Sequence, residues 1–270
     1  MSGTALPLGS DVPWAGGVVT ARALCVLADN PGPMTLDGTN TWVLHEPGSG
    51  LVVVVDPGPD DAGHLDAIVA AAGENRIAAI LLTHAHPDHS AGAGSLAQGT
   101  GAPVAALDPA HRLGSEGLAD GDRLDVAGLE IVVVATPGHT ADSLSFHLIA
   151  DSALITGDTV LGRGSTVVAH PDGRLEDYLD SLVRLRALAE SSEASVVLPG
   201  HGPVVSDPVG AVTAYLAHRH ERLDQVRAAL EAGASTADDV VALVYADVPR
   251  ELWPAARLSV EAQLAYLAAH

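Results

Sequence analysis

The chain has 270 residues, 47% of them hydrophobic, which suffices for one large core built mainly of Ala, Val and Leu, since there are only one Phe, three Trp and four Tyr. Its 34 acidic residues face 13 basic ones, all arginine, and the net charge of −21 argues against broad binding of duplex nucleic acid. No apolar run reaches about 18 residues and no basic stretch leads into a long apolar one at the N-terminus, so the sequence reads as a cytoplasmic protein without a membrane partner.

Along the chain, the apolar run 23–27 contains Cys25, the single cysteine, which reads as a small buried hydrophobe. With one cysteine, neither an intrachain disulfide nor a zinc ribbon can form. Val-rich runs at 41–44 and 51–55 predict strands separated by the turn-like stretch 46–50. A helix follows over 60–72, with Leu65, Ile68, Val69 and Ala72 on one face. The strand expected at 78–82 runs into Thr83-His84-Ala85-His86-Pro87-Asp88-His89. A short helix over 91–98 and a strand over 103–106 come next, then strands over 129–135, 143–148, 153–156 and 195–198. A helix over 175–190 carries the stripe Leu175, Leu179, Leu182, Leu185 and Leu188.

The last third reads as helical. Ser206-Asp207-Pro208 starts a helix reaching Leu230, with Val212, Tyr215, Leu216, Leu223, Val226 and Leu230 inward. Ser235 and Asp238 have the spacing of a capping box, Pro254 is expected to break the chain, and Ser259 to cap a terminal helix. Residues 215–270 hold 5 Arg against 8 Asp plus Glu, so nothing basic marks a DNA reader, and a packing or homodimer role is expected instead. Residues 1–205 are therefore assigned to a catalytic domain and 206–270 to a small helical module.

Four strands end in Gly- or Pro-flanked loops carrying His or Asp, and strand-end loops on a rigid sheet are where α/β scaffolds place their chemistry. Four ligand-type side chains within six positions point to a borderline cation such as zinc. His139, Asp158 and His201 complete a set of five His and two Asp, enough for two ions and an open position for water. The simplest partition gives His84, His86 and His139 to one ion and Asp88, His89 and His201 to the other, with Asp158 bridging. Two such ions about 3.5–4 Å apart lower the pKa of a shared water towards ~7 and polarise the substrate. Asp88 would hold the attacking hydroxide and pass a proton to the leaving group. The Gly-rich stretch from Asp158 to Thr166, with Arg163, Ser165 and Thr166, either cradles an anionic group or only makes a tight turn. Asn40 and His170 are further candidates for the mouth.

These motifs resemble the metallo-β-lactamase superfamily, whose four-layer αββα sandwich carries the His-x-His-x-Asp-His loop at one sheet edge; the resemblance spans residues from about 20 to 205. The stretch 30–42, Thr136-Pro137-Gly138-His139-Thr140 and Pro199-Gly200-His201-Gly202-Pro203 are similar to the lactamase-β-like branch, which carries a C-terminal winged-helix-like module. That resemblance implies two Zn2+ per chain, with Mn2+ or Fe as substitutes. The branch includes a single-strand endoribonuclease, which implies a phosphodiester in short single-stranded RNA, or a small molecule, as substrate. A glyoxalase II-like thioesterase uses the same seven ligands, but its basic glutathione-binding residues have no counterpart here. An iron-dependent sulfur dioxygenase is a third expectation. Flavin-linked di-iron enzymes resemble His-x-Glu-x-Asp, which His86 departs from, and Asp158 replaces the cysteine of zinc β-lactamases, so antibiotic hydrolysis is not expected.

Overall fold

The computed structural model describes residues 13–270; the first twelve residues of the assigned catalytic domain, and with them the N-terminal leader reading, lie outside that range. The first sheet contains β1 (Gly17–Val18), β2 (Ala23–Leu27), β3 (Asn40–Leu44), β4 (Leu51–Val55), β5 (Arg76–Leu81) and β6 (Val104–Ala105), side by side in that order. It is antiparallel up to β4 and parallel from β4 to β6. The second sheet contains β7 (Arg123–Val126), β8 (Leu129–Ala135), β9 (Leu144–Leu148), β10 (Ala153–Gly157) and β11 (Val196–Pro199), in the order β11-β10-β9-β8-β7. Only its β10–β11 pair is parallel.

The valine run of β4 explains the layering. Successive side chains of a strand point to opposite faces, so Val53 and Val55 enter the core between the sheets with Trp42, Ile131 and Phe146. Val52 and Val54 face outward into a cluster with Ile68, Ile80 and Leu96. That cluster lies beneath α1 (Ala62–Ala72) and α3 (Ala93–Thr100), which follows the single turn α2 (Pro87–Ser90). The outer face of the second sheet is covered by α4 (Leu175–Ser191) and α5 (Pro208–Glu231) through Leu182, Leu185, Val212 and Tyr215. The result is the four-layer αββα sandwich expected from the motifs. Each fully buried Val, Leu or Phe contributes about 1.5–3 kcal/mol by leaving water.

Several local expectations are corrected. In α1 the inward positions are His64, Ile68 and Ala72, while Val69 is 46% exposed. The Asp61 cap sets that phase, and Thr41 Oγ1 lies 2.9 Å from His64 Nε2, giving the buried imidazole a partner. In α4 the inward face includes Tyr178 and Ala189, with Leu188 only half-buried. Ala229 replaces Leu230 on the inner face of α5. The two-residue β1 and the Arg123–Val126 edge strand β7 were not anticipated, being short and partly polar.

The C-terminal segment adds α6 (Ala237–Val244) and α7 (Trp253–Ala269), and among the described residues no strand follows β11. The capping box of α6 is made by Thr236 and Asp239, one position beyond the expected pair. Pro254 lies in the first turn of α7, where its missing N–H costs nothing, so it opens a helix at the point where it was expected to break the chain. Ser259 is accordingly buried within α7 and caps nothing. The N-terminal half of α5 packs on α4 through Val212 and Leu216, whereas Val226 and Ala229 join a separate small core with Val240, Val241 and Val260. One continuous helix thus serves both the sandwich and the C-terminal module.

Candidate metal centre

Four loops at one edge of the sandwich converge. The loop after β5 supplies His84, His86, Asp88 and His89, those after β8 and β10 supply His139 and Asp158, and the end of β11 supplies His201. Backbone bonds tie them together: Leu144 N–H donates to Thr83 O at 2.7 Å and Gly200 N–H to Gly157 O at 2.8 Å. Gly200 is required by close approach, because a Cβ there would stand 2.5 Å from Asp158 Oδ1 and 2.8 Å from His89 Cε1. Gly138 adopts φ +132°, and a Cβ there would meet the Tyr178 backbone at 2.3 Å.

The ligand atoms fall into two sets. His86 Nδ1 is 3.0 Å from His84 Nε2 and 3.1 Å from His139 Nε2. His201 Nε2 is 3.2 Å from both His89 Nε2 and Asp88 Oδ2. Asp158 spans the sets, with Oδ2 at 3.3 Å from His201 Nε2 and 3.7 Å from His139 Nε2, and Oδ1 at 3.5 Å from His89 Nε2. Nitrogens bound tetrahedrally to one ion at 2.0–2.1 Å lie about 3.3 Å apart, so these spacings suit a shared cation. Asp158 Oδ1 is moreover buried without a hydrogen-bond partner, an orphaned acceptor that a cation would satisfy. The donor chemistry and the spacing therefore fit divalent metal.

The outward ring nitrogens are held as well. His139 Nδ1–H donates to Val167 O at 2.7 Å and His201 Nδ1–H to Gly38 O at 3.1 Å, which leaves each Nε2 as the ring atom facing the cluster. Asp56, which the sequence reading missed, organises the other two. Its Oδ2 accepts from His89 Nδ1 at 2.9 Å and from Thr83 Oγ1 at 2.6 Å, and Thr83 Oγ1 accepts in turn from His84 Nδ1 at 3.0 Å. One buried carboxylate thus orients an imidazole in each set. Asp56 could itself be grouped with His84 and His89 as ligands, but it meets the outward nitrogen of His89 directly and that of His84 only through Thr83 Oγ1, so it supports the site from behind. Asp56→Asn retains a residue that tolerates the local φ of 52°. This variant is expected to weaken metal binding about 10–100-fold, read by competition with a chromophoric chelator; unchanged affinity would remove Asp56 from this role.

Electrostatics separates the two sets. Burial, together with the neighbouring imidazoles, holds His84 and His139 below the ordinary histidine range, so both are neutral. His89 is also buried, but the carboxylates of Asp158 and Asp56 outweigh that and lift it well above the usual value. His201 follows the same balance, with Asp158 and Asp88 raising it to about 9 against the effect of burial. Asp158 is held well below the usual range because His201 and His89 override its burial. Asp88, about a third exposed, is lowered as well: the His201 hydrogen bond and the His89 charge outweigh burial.

A cavity of about 360 Å³ opens onto the cluster at His139 and Asp158. Arg163, Ser165 and Thr166 line it, but Arg163 is committed to Asp37 through a 2.5 Å contact, and Thr166 Oγ1 donates to Asp158 O. The stretch is therefore a packed turn: Gly162 is pressed against Pro203, whose carbonyl oxygen would lie 2.0 Å from any Cβ. Asn40 does not reach the mouth. Its amide donates to Pro199 O and Gly202 O and its oxygen accepts from Trp14 Nε1, which makes it a buried brace under the His201 loop. His170 is exposed and lines a different depression with Tyr266 and Ala269.

The family model for the metallo-β-lactamase superfamily matches residues 34–201, more than half of the chain. The chain belongs to the metallo-β-lactamase superfamily. A second model, for the β-lactamase-associated winged helix domain, matches residues 236–270. This superfamily member is 36% identical over 236 residues to the Beta-lactamase-like protein 2 homolog of Caenorhabditis elegans, covering 83% of this chain and 76% of that one. It is 31% identical over 254 residues to an Atrochrysone carboxyl ACP thioesterase of Aspergillus fumigatus, covering 87% and 77%. A metallo-β-lactamase family protein from Thermus thermophilus superposes with a TM-score of 0.77 at 26% identity, over 93% of this chain and 94% of that one. The metallo-β-lactamase-fold hydrolase described here thus carries its His/Asp cluster where the two sheets end, and no described helix is long and apolar enough to cross a membrane.

Proposed function

We propose that the chain is a dinuclear metal-dependent acyl thioester hydrolase. The observation that carries this reading is the cavity wall: Met34, Leu36, Leu161, Val248 and Leu252 surround a space of about 360 Å³ that ends at His139 and Asp158. That volume and apolar lining suit an acyl chain placed against a hydrolytic centre. The similarity to an ACP thioesterase supports the same class. Single-stranded RNA instead requires a basic groove with aromatic platforms. Here the net charge is −21, Arg163 is paired with Asp37, Arg219 and Arg222 already cover the Tyr178 and Tyr245 rings, and among the described residues no Phe or Trp lines the cavity.

His84, His86 and His139 would hold one ion, and Asp88, His89 and His201 the other, with Asp158 between them. The three-imidazole set favours zinc, while the set that adds the Asp88 carboxylate also accommodates manganese or iron. Bound ions supply an activated water at neutral pH and polarise the substrate carbonyl. The water oxygen bonds to the acyl carbon, the carbon–sulfur bond breaks, and the thiol leaves with a proton. Asp88 is the group placed to carry that proton, being ionised and open to the solvent side of the cluster.

The test is a panel of acyl N-acetylcysteamine thioesters, S-lactoylglutathione and a single-stranded RNA oligonucleotide, with elemental analysis of the protein and oxygen uptake on glutathione persulfide. Thioester turnover that disappears with a chelator or with Asp88→Ala is expected, along with two metal ions per chain. Cleavage of RNA with thioesters left intact would restore the nuclease reading, and persulfide-dependent oxygen uptake by an iron-loaded protein would replace both.

A further inference from the structure

The chain carries 34 acidic residues against 13 arginines, so an arginine without a carboxylate beside it calls for a reason. Arg22, Arg163, Arg184 and Arg257 each have one within ion-pair distance. Among the described residues, two arginines of the cavity wall do not. Arg219 is only 3% exposed, yet among the described residues its contacts are the Thr166 carbonyl and the face of Tyr178, 4.8 Å from the ring centroid, and its Nε has no partner. Arg222 donates to Gln225 Oε1 at 2.8 Å and Val244 O at 3.2 Å and lies over Tyr245. A guanidinium cannot discharge itself when buried, so the cost of leaving it uncompensated persists until an anion arrives.

Helical spacing places Arg219 and Arg222 on one face of α5, with His218 beside them and one turn before Arg222. His218 Nδ1 is likewise buried without a partner. Burial and then the charges of Arg219 and Arg222 push this imidazole down to about 4, so it is neutral and adds hydrogen-bonding capacity without competing charge. All three side chains line the cavity that reaches His139 and Asp158, together with the apolar Leu161, Val248 and Leu252. An apolar wall with an unmatched cationic pair calls for a ligand of the same make-up.

We infer that Arg219 and Arg222 form a subsite for a compact oxyanion of the substrate, a carboxylate or phosphate separated from the scissile bond by an apolar stretch. As a statement about substrate it rests on the thioester reading, but the subsite also makes a claim about binding alone. A planar guanidinium offers paired N–H donors that match a carboxylate or phosphate, and the second arginine and His218 can complete its hydrogen bonds. The Tyr178 and Tyr245 rings under the two guanidiniums hold them in place before the anion binds. The C-terminal module acquires a role in this arrangement, because Tyr245 and Val244 O fix Arg222.

Two measurements test it. The first compares hexanoyl and 5-carboxypentanoyl thioesters of N-acetylcysteamine with the hexanoyl thioester of 4′-phosphopantetheine. One of the anionic substrates is expected to exceed the neutral one in kcat/KM by about tenfold or more, and which one does so assigns the charge to the acyl or the thiol side. Arg222→Gln, at a half-buried position, is expected to bring that ratio close to one. Arg219→Gln should do the same, but its burial makes Arg222→Gln the deciding variant. The second measurement is calorimetry on chelator-stripped protein with hexanoate, hexyl phosphate and hexanamide. At least one anion should bind about tenfold or more tighter than the amide, and Arg222→Gln should remove that advantage. Equal binding of all three, or an anion preference unchanged by Arg222→Gln, overturns the subsite. Anion binding that depends on Arg222 in a protein that turns over no thioester keeps the subsite and discards the thioester reading.

Discussion

Asp158→Ala is expected to lower kcat/KM on the best substrate by about 10³-fold or more, the equivalent of the several kcal/mol that metal-centred charge stabilisation supplies. The same variant should hold fewer than two metal ions per chain by elemental analysis. Asp158 is the carboxylate that approaches both ligand sets, through His139 on one side and His89 and His201 on the other. Removing it opens space beside Gly200 and deprives His89 and His201 of the charge that raises them. Asp158→Asn separates the two losses: it keeps the volume and one oxygen donor but gives up the negative charge. If charge is the essential part, the asparagine variant should be nearly as impaired as the alanine one. Full metal occupancy with activity within tenfold of the parent would show that the two sets do not depend on a shared carboxylate.

Much of this centre was legible because its residues advertise themselves locally. His84, His86, Asp88 and His89 crowd one loop, and His139, Asp158 and His201 each follow an apolar strand and stand beside Gly or Pro. Asp56 obeys the same grammar, ending β4 in Asp56-Pro57-Gly58, yet a lone aspartate before proline reads as a turn. Its function emerges only from the parallel pairing of β4 and β5, with Val55 opposite Leu81, which sets Asp56 beside Thr83. Arg163 illustrates the opposite failure. Its Gly-rich surroundings suggested an anion cradle, but its charge is taken by Asp37, 126 positions away, a pairing no local pattern reveals. Arg219 and Arg222, which have no carboxylate partner among the described residues, lay in a helix read only for its apolar face, so Arg219 went unnoticed although it is buried. The start of α7 shows how little separates two readings of one residue: Pro254 ends a helix at most positions and begins one in the first turn.

Metal uptake is expected to be stepwise and to depend on pH in only one of the two sets. In the metal-free protein His84 and His139 are already neutral at pH 7, so an ion entering beside His86 displaces no proton from either. His89 and His201 are raised and hold their protons at that pH, facing Asp158. A second ion must expel them. With His201 at about 9, its proton alone makes the apparent affinity of this set about 50-fold weaker at pH 7 than at pH 9, and His89 steepens the dependence further. The linkage to folding has the same origin. His201 stands at 6.5 when unperturbed and at about 9 in the fold, so its contribution to the stability of metal-free protein is fully present below 6.5 and lost as pH rises through about 9. Over that same interval the departing proton makes room for the cation, so metal takes over the role of the lost charge pair. Calorimetric titration of stripped protein in buffers of different ionisation enthalpy reads the protons released at each step. The first equivalent should release few and bind with little change between pH 7 and pH 9, whereas the second should release at least one and tighten steeply. Two equivalents binding alike at pH 7 without proton release would mean that the carboxylates do not hold those protons, and the division into a neutral and a charged ligand set would fall with them.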